Sequence, residues 1–181
     1  WRTARGEFIV AMTSFLGVLG SGVLRGVMIG AVISLVIVIR RGANPHVAIL
    51  GRIPGARRYS DLERHPDNER VPGLLLCRPE SGLVYFNVDQ VRHKILEHVR
   101  AESTPPKLVV CDLSASPQVD IQSAQTLAEL HHELAGMGIR LQLVEARASV
   151  RDTLRNEGLE ETFGRFDRFT SVADAVEAFQ G

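Results

Sequence analysis

Two hydrophobic rhythms divide the chain. Across residues 8–39, 22 of 32 side chains are apolar and only Arg25 is charged. A stretch of about 18 or more apolar residues reads as a membrane segment, because about 20 helical residues cross the hydrocarbon. Thirty-two helical residues would measure about 48 Å against a core of about 30 Å. Gly17, Gly20, Ser21 and Gly22 cluster in the middle and offer a place to fold back. The pattern therefore predicts two short helices, at about 8–20 and 23–39, joined by a tight turn. A single long, tilted helix is the alternative. The stretch lacks the cleavage pattern of a secretory signal.

Beyond it the rhythm changes. Residues 42–73 hold Gly42, Pro45, Gly51, Pro54, Gly55, Pro66, Pro72 and Gly73. Such punctuation breaks any period and predicts a linker, with one short strand at 46–50. Runs 74–78 and 83–87, separated by Pro79-Glu80-Ser81-Gly82, read as a hairpin. Val88, Val91, Ile95 and Val99 follow at helical spacing, and Pro105-Pro106 ends that helix. Residues 108–113 form a strand of the buried type. Leu127, Leu130 and Leu134 mark a helix closed by Gly136 and Gly138, and 141–145 is a further strand. Ser149-x-x-Asp152 and Ser171-x-x-Asp174 predict capping boxes for two more helices. The last of these buries Val172, Ala175, Val176 and Phe179. Strands alternating with helices imply an α/β domain over 74–181, with a largely parallel sheet and an antiparallel start.

Composition adds a direction. Lys+Arg and Asp+Glu are 21 each, so the whole chain gives no argument for nucleic acid. Up to His46, however, five arginines (Arg2, Arg5, Arg25, Arg40, Arg41) face only Glu7. Basic residues gather on the cytoplasmic side. Arg2 and Arg5 before the first helix and Arg40 and Arg41 after the second place both termini in the cytoplasm and Ser21 outside. Arg25 lies near the turn, where its stem reaches the interface. The chain opens on Trp1 and not Met, and is expected to be the C-terminal piece of something longer. Small residues recur every fourth position: Thr13, Gly17 and Ser21, then Gly22, Gly26, Gly30 and Ser34. Lipid gives little hydrophobic drive between helices, so such stripes let backbones approach and pack.

Candidate chemistry is sparse. Cys77 and Cys111 fall inside expected strands, as small buried hydrophobes do. No Cys-x-x-Cys, P-loop or nucleophile elbow occurs. His131 and His132 are adjacent on a helix and point to different faces, so no metal site is expected. Asp112 and Asp120 flank the loop after a strand, at the end where α/β sheets bind ligands. A turn role for Asp112 and a helix cap at Asp120 account for both. No enzyme and no cofactor is expected.

Several longer segments resemble one family. Arg41-Gly-Ala-Asn-Pro-His-Val-Ala-Ile-Leu-Gly-Arg-Ile-Pro-Gly55, Tyr59-x-Asp-Leu-Glu63, Val71-Pro-Gly-Leu74 and Leu83-Val-Tyr-Phe-Asn87 are similar to the SulP (sulfate permease) anion transporters. They match where the last membrane helix runs into the cytoplasmic STAS domain. Val109-Val-Cys-Asp-Leu-Ser114 and Gly138-Ile-Arg-Leu-Gln-Leu-Val144 resemble later strands of that domain. The resemblance covers essentially the whole chain. It implies a STAS-type mixed, largely parallel sheet flanked by helices, preceded by an all-α transmembrane hairpin (residues 1–41).

The same resemblance implies a multi-pass, secondary active carrier of sulfate- or bicarbonate-type anions in the cell membrane, assembled as a homodimer. Its STAS domain would lie in the cytoplasm and serve regulation or assembly. The anion would bind to membrane residues upstream of this chain, so no substrate-binding residue is assigned here. A membrane-tethered STAS module that docks a protein or nucleotide without transporting is the alternative. The regulatory loop maps to Asp120, Ile121, Gln122 and Ser123. In anti-sigma factor antagonists this loop reads Asp-Ser-Ser-Gly and its first Ser is phosphorylated; here Ile121 occupies that place and cannot accept phosphate. Ser116 and Ser123 are the nearby hydroxyls.

Overall fold

The computed structural model describes residue 8, residues 11–13 and 15–16, and residues 23–181. The chain divides into two compact units, Trp1–Asn44 and Pro45–Gly181. In the first, helix α1 spans Val23–Ala43. Among the described residues it is the one helix long and apolar enough to cross a membrane, with a mean hydropathy of 2.2 over Val23–Arg40. Twenty-one residues rise about 31 Å, close to the thickness of the hydrocarbon. The helix was expected to stop at 39 but runs through Arg40 and Arg41, since arginine is a good helix former. It ends where Pro45 restricts the residue before it.

Residues 8, 11–13 and 15–16 are also helical. Gly17, Gly20, Ser21 and Gly22, the expected turn, lie outside the described residues. Along α1, Gly26 and Gly30 are buried, Ile33 and Ile37 are half-buried, and Ser34 is exposed. The covered stripe thus leaves the expected four-residue repeat after Gly30. A step of four residues overshoots a full turn by about 40°, and a step of three or four alternately keeps one face. The other apolar side chains of α1 point outward, with Leu24 76% exposed.

The second unit is built on a five-stranded sheet. Its strands are β1 (Val47–Arg52), β2 (Tyr59–Asp61), β3 (Leu74–Pro79), β4 (Leu108–Asp112) and β5 (Arg140–Val144). Their order is β2-β1-β3-β4-β5, with β1 antiparallel to both β2 and β3, and β3, β4 and β5 parallel. Helices α2 (Val88–Ala101), α3 (Ile121–Gly136), α4 (Ala148–Asn156), the single turn α5 (Glu160–Phe163) and α6 (Val172–Gln180) complete it.

The sheet is buried on both faces, which is why β3 and β4 read as unbroken apolar runs. Leu75, Cys77, Val109 and Cys111 point to one face, under Val91, Ile95, Leu127, Leu130 and Leu154 of α2, α3 and α4. Leu76, Leu108 and Val110 point to the other, under Val172, Ala175 and Val176 of α6, with Phe179 packed beside them. The helical period places Val88, Val91, Ile95 and Val99 on the buried side of α2, as expected.

Three expectations require correction. Residues 45–73 do not form a linker. β1 pairs on both sides, and Asn68 ties the following loop down through Ser60 O at 3.1 Å and Ser60 Oγ at 2.7 Å. Its glycines turn the chain rather than loosen it, with Gly55 and Gly73 at φ of 71° and 77°. The hairpin of 74–78 with 83–87 does not form either. β1 and β4 occupy both edges of β3, so 83–87 finds no partner there and instead turns into α2, leaving Leu83 in an isolated bridge with Val119. Finally, Ser149 does not cap α4. Arg147 stands at the cap and Asp152 turns to Arg155, whereas Ser171 and Asp174 do form the reciprocal capping box of α6.

Candidate functional site

The loop after β4 leads to the start of α3 and is fixed by two carboxylates. Asp112 ends β4 with its side chain almost wholly buried. One oxygen accepts from Arg78 at 2.7 Å, and the other accepts from the Ser114 N–H at 2.8 Å. The turn role was expected. The pairing with Arg78 was not, because nothing in a single sequence reports which strands lie side by side. Asp120 caps α3: its Oδ1 accepts from the Ser123 N–H at 2.8 Å, and its Oδ2 accepts from the Tyr85 N–H at 2.8 Å. Burial opposes its charge, but the bonds from Ser123 and Tyr85 outweigh burial and hold its carboxyl below the usual range.

One carboxylate therefore joins two segments, the α3 start and the loop before α2. The surface they share is apolar. Ile121 is 59% exposed, Tyr85 70% and Phe86 46%, and the two aromatic rings meet edge to face with centroids 5.4 Å apart. Beside Ile121, Gln122 is also exposed. Tyr85 and Phe86 were hidden at the sequence level by reading 83–87 as a strand. An aromatic pair placed between a turn and a helix start was the available signal.

The two serines expected beside the loop are sealed. Ser123 and Ser116 are both 0% exposed, and Ser116 Oγ donates to the Pro79 carbonyl at 3.3 Å. Ser123 is a first-turn residue whose side chain faces the core.

The remaining candidates lie elsewhere. His131 packs edge-on against Phe163 at 5.0 Å, and burial, with His132 beside it, pushes its pKa down. The His132 Nδ1 lies 2.8 Å from the Ala128 carbonyl. Cys77 and Cys111 are free thiols directly opposite each other on β3 and β4. A hydrogen bond with Cys77, together with burial, pushes the Cys111 thiol well up.

A family model for the STAS domain matches residues 65–175. A probable sulfate transporter of Mycobacterium tuberculosis is 30% identical over 179 residues, covering 99% of this chain and 32% of that protein. The chain thus spans about a third of the length of the curated relatives it matches. Murine solute carrier 26 family member A9, an anion transporter solved in its inward-facing state, superposes with a TM-score of 0.82. It is 19% identical and covers 100% of this chain and 30% of its own. The anti-sigma factor antagonist SpoIIAA, in its unphosphorylated form, gives a TM-score of 0.51 at 18% identity over 62% of this chain and 94% of its own. The fold is shared with both.

Proposed function

The chain belongs to the STAS-domain family, and from that premise we propose that it is the C-terminal part of a secondary active carrier of inorganic anions. Sulfate and bicarbonate are the type of substrate. The observation that carries this reading is continuity: similarity to a sulfate transporter runs through α1 and the domain together, over 99% of the chain. A free-standing STAS module would share only the domain. In this reading α1 belongs to the gate of the membrane part, and the anion is held by upstream residues. The domain lies in the cytoplasm, carries out no chemistry and acts on the carrier by binding.

The surface for that binding is the start of α3 with the loop before α2. Its exposed groups, Ile121, Gln122, Tyr85 and Phe86, suit contact with a protein. A phosphoserine switch of the antagonist type would bring roughly −1.5 to −2 charge, but Ile121 has no hydroxyl and Ser116 and Ser123 are enclosed. The test is uptake of labelled sulfate and of labelled bicarbonate by the complete protein in proteoliposomes. Uptake above that of empty vesicles is expected. Failure with every inorganic anion tried, in protein that binds a cytoplasmic partner, would leave the tethered docking module instead. Stoichiometric phosphate on Ser116 or Ser123 in protein from its native cells would overturn the binding mode alone.

A further inference from the structure

Arg151 and Arg155 stand one turn apart on α4, and Arg165 and Arg168 come from the segment after α5. The four guanidinium groups and Phe169 line an open cleft of about 340 Å³. The acids at the cleft are already engaged. Glu160 pairs with Arg155 at 3.0 Å, and one oxygen of Asp167 accepts from the Phe169 and Thr170 N–H groups and the Thr170 hydroxyl. Among the described residues, Arg165 and Arg168 have no acidic partner. Arg168 lies over the Phe169 ring, 4.9 Å from its centroid, and that ring is 74% exposed. A cation and an apolar ring are therefore offered to solvent at one point.

The position of the cleft in the fold gives its use. β3, β4 and β5 are parallel, so their carboxyl ends share one edge of the sheet. α4 begins just beyond the end of β5, and the Glu145 N–H meets the Thr170 carbonyl at 3.4 Å, which brings the arginine-bearing segment to the same edge. β1 is antiparallel to β3, with Val47 opposite Pro79 and the Glu80 N–H bonded to the His46 carbonyl at 2.9 Å. The point where the domain is joined to α1 thus lies at this edge as well. Only Asn44, Pro45 and His46 separate the last residue of α1 from the first of β1. Three residues span at most about 11 Å.

We propose that this arginine–phenylalanine cleft rests on anionic lipid headgroups. The proposal depends on α1 lying in a bilayer, not on the carriage of any anion. Guanidinium groups without partners take headgroup phosphates, and an aromatic ring suits the interfacial layer.

Residues 45–181 contain both cores and serve as the probe. The single Trp of the chain is Trp1, so Phe169→Trp in this fragment gives one fluorophore at the cleft. Its emission should shift to the blue with vesicles of phosphatidylcholine containing roughly a third phosphatidylglycerol, and not with phosphatidylcholine alone. Partitioning should weaken with salt. Arg165→Gln and Arg168→Gln should each lower it by about five-fold. Arg140→Gln, which removes an exposed arginine with no acidic partner among the described residues at the opposite, amino edge of the sheet, should leave it unchanged. No shift with anionic vesicles, equal binding to neutral ones, or an equal loss in Arg140→Gln would overturn the proposal. So would displacement by millimolar inorganic phosphate, which would put a free anion in the cleft.

Discussion

Helix α1 and strand β4 are made of the same residues, valine, leucine and isoleucine in α1 and valine and leucine in β4, yet they meet opposite surroundings. Every residue of β4 is buried by protein, between α2 and α3 on one face and α6 on the other. In α1 the side chains of Val23, Leu24 and Val38 are all more than 60% exposed. Length separates the two cases. The five residues of β4, four of them apolar, span about 17 Å in extended form, which a domain of this size covers on both faces. A helix of 21 residues is long enough to cross a membrane, and most of its apolar side chains are left uncovered by the described residues. What distinguishes the core strand from the candidate membrane span in this sequence is the length of the run and not its hydrophobicity.

The largest effect expected from that difference comes from one truncation made on each side of it. Leu130→Ala removes a fully buried side chain of α3 and should lower the stability of residues 45–181 by about 3 kcal/mol in urea unfolding. Leu35→Ala, on the open surface of α1, should leave the unfolding of the domain in the full chain where it was. A comparable loss from both would mean that α1 is packed as a core helix.

Charges sharpen the same contrast. Asp112→Ala strands Arg78 at the end of the sheet and should cost about 3 kcal/mol, again by urea unfolding. Asp120→Ala should cost less, about 1–2 kcal/mol, because it removes a cap and the tie to Tyr85 while both donors can reach water. The second penalty should depend on pH. The Asp120 pKa is lowered in the folded domain, so its stabilisation is present above the ordinary carboxylate value of about 3.9 and is lost as pH falls through the folded value. Wild type and variant should therefore converge in acid; a constant gap down to the lowest accessible pH would remove the charge from the account.

The smallest effect belongs to α1. Gly26 lies in the covered stripe of α1 and Val27 does not. Gly26→Leu should lower the melting temperature of the full chain in detergent by a few degrees, while Val27→Leu should not. Equal melting of the two variants would reduce the stripe to composition.

The elements that were legible in the sequence are those whose partners do not matter to their pattern. α2 and α3 show their buried faces through spacing alone, and β4 and β5 through short apolar runs. β1 was visible only as a short strand in a supposed linker, because six strand residues are flanked by glycines and prolines that belong to its turns. The false hairpin arose from the same blindness: 83–87 is a short apolar run like a strand, but β3 has no free edge for it. At the candidate site, Asp120 was readable as a cap from its place before a helix. Its second bond, to Tyr85, crosses 35 positions and follows from the tertiary fold. The identity of Ile121 was legible, whereas the enclosure of Ser116 and Ser123 was not, since hydroxyl burial depends on what packs above it.

The paired thiols in the sheet have a practical consequence. Cys77 and Cys111 are the only cysteines in the sequence, and both are 0% exposed. A thiol reagent meets them only when β3 and β4 come apart, an event that ranks with opening of the whole domain. With reagent dilute enough that closing outruns labelling, the labelling rate measures the equilibrium between closed and open sheet; with reagent in excess, it measures the opening rate itself. The chain thus carries its own stopwatch, by which any ligand that steadies the domain would announce itself as a slower reaction.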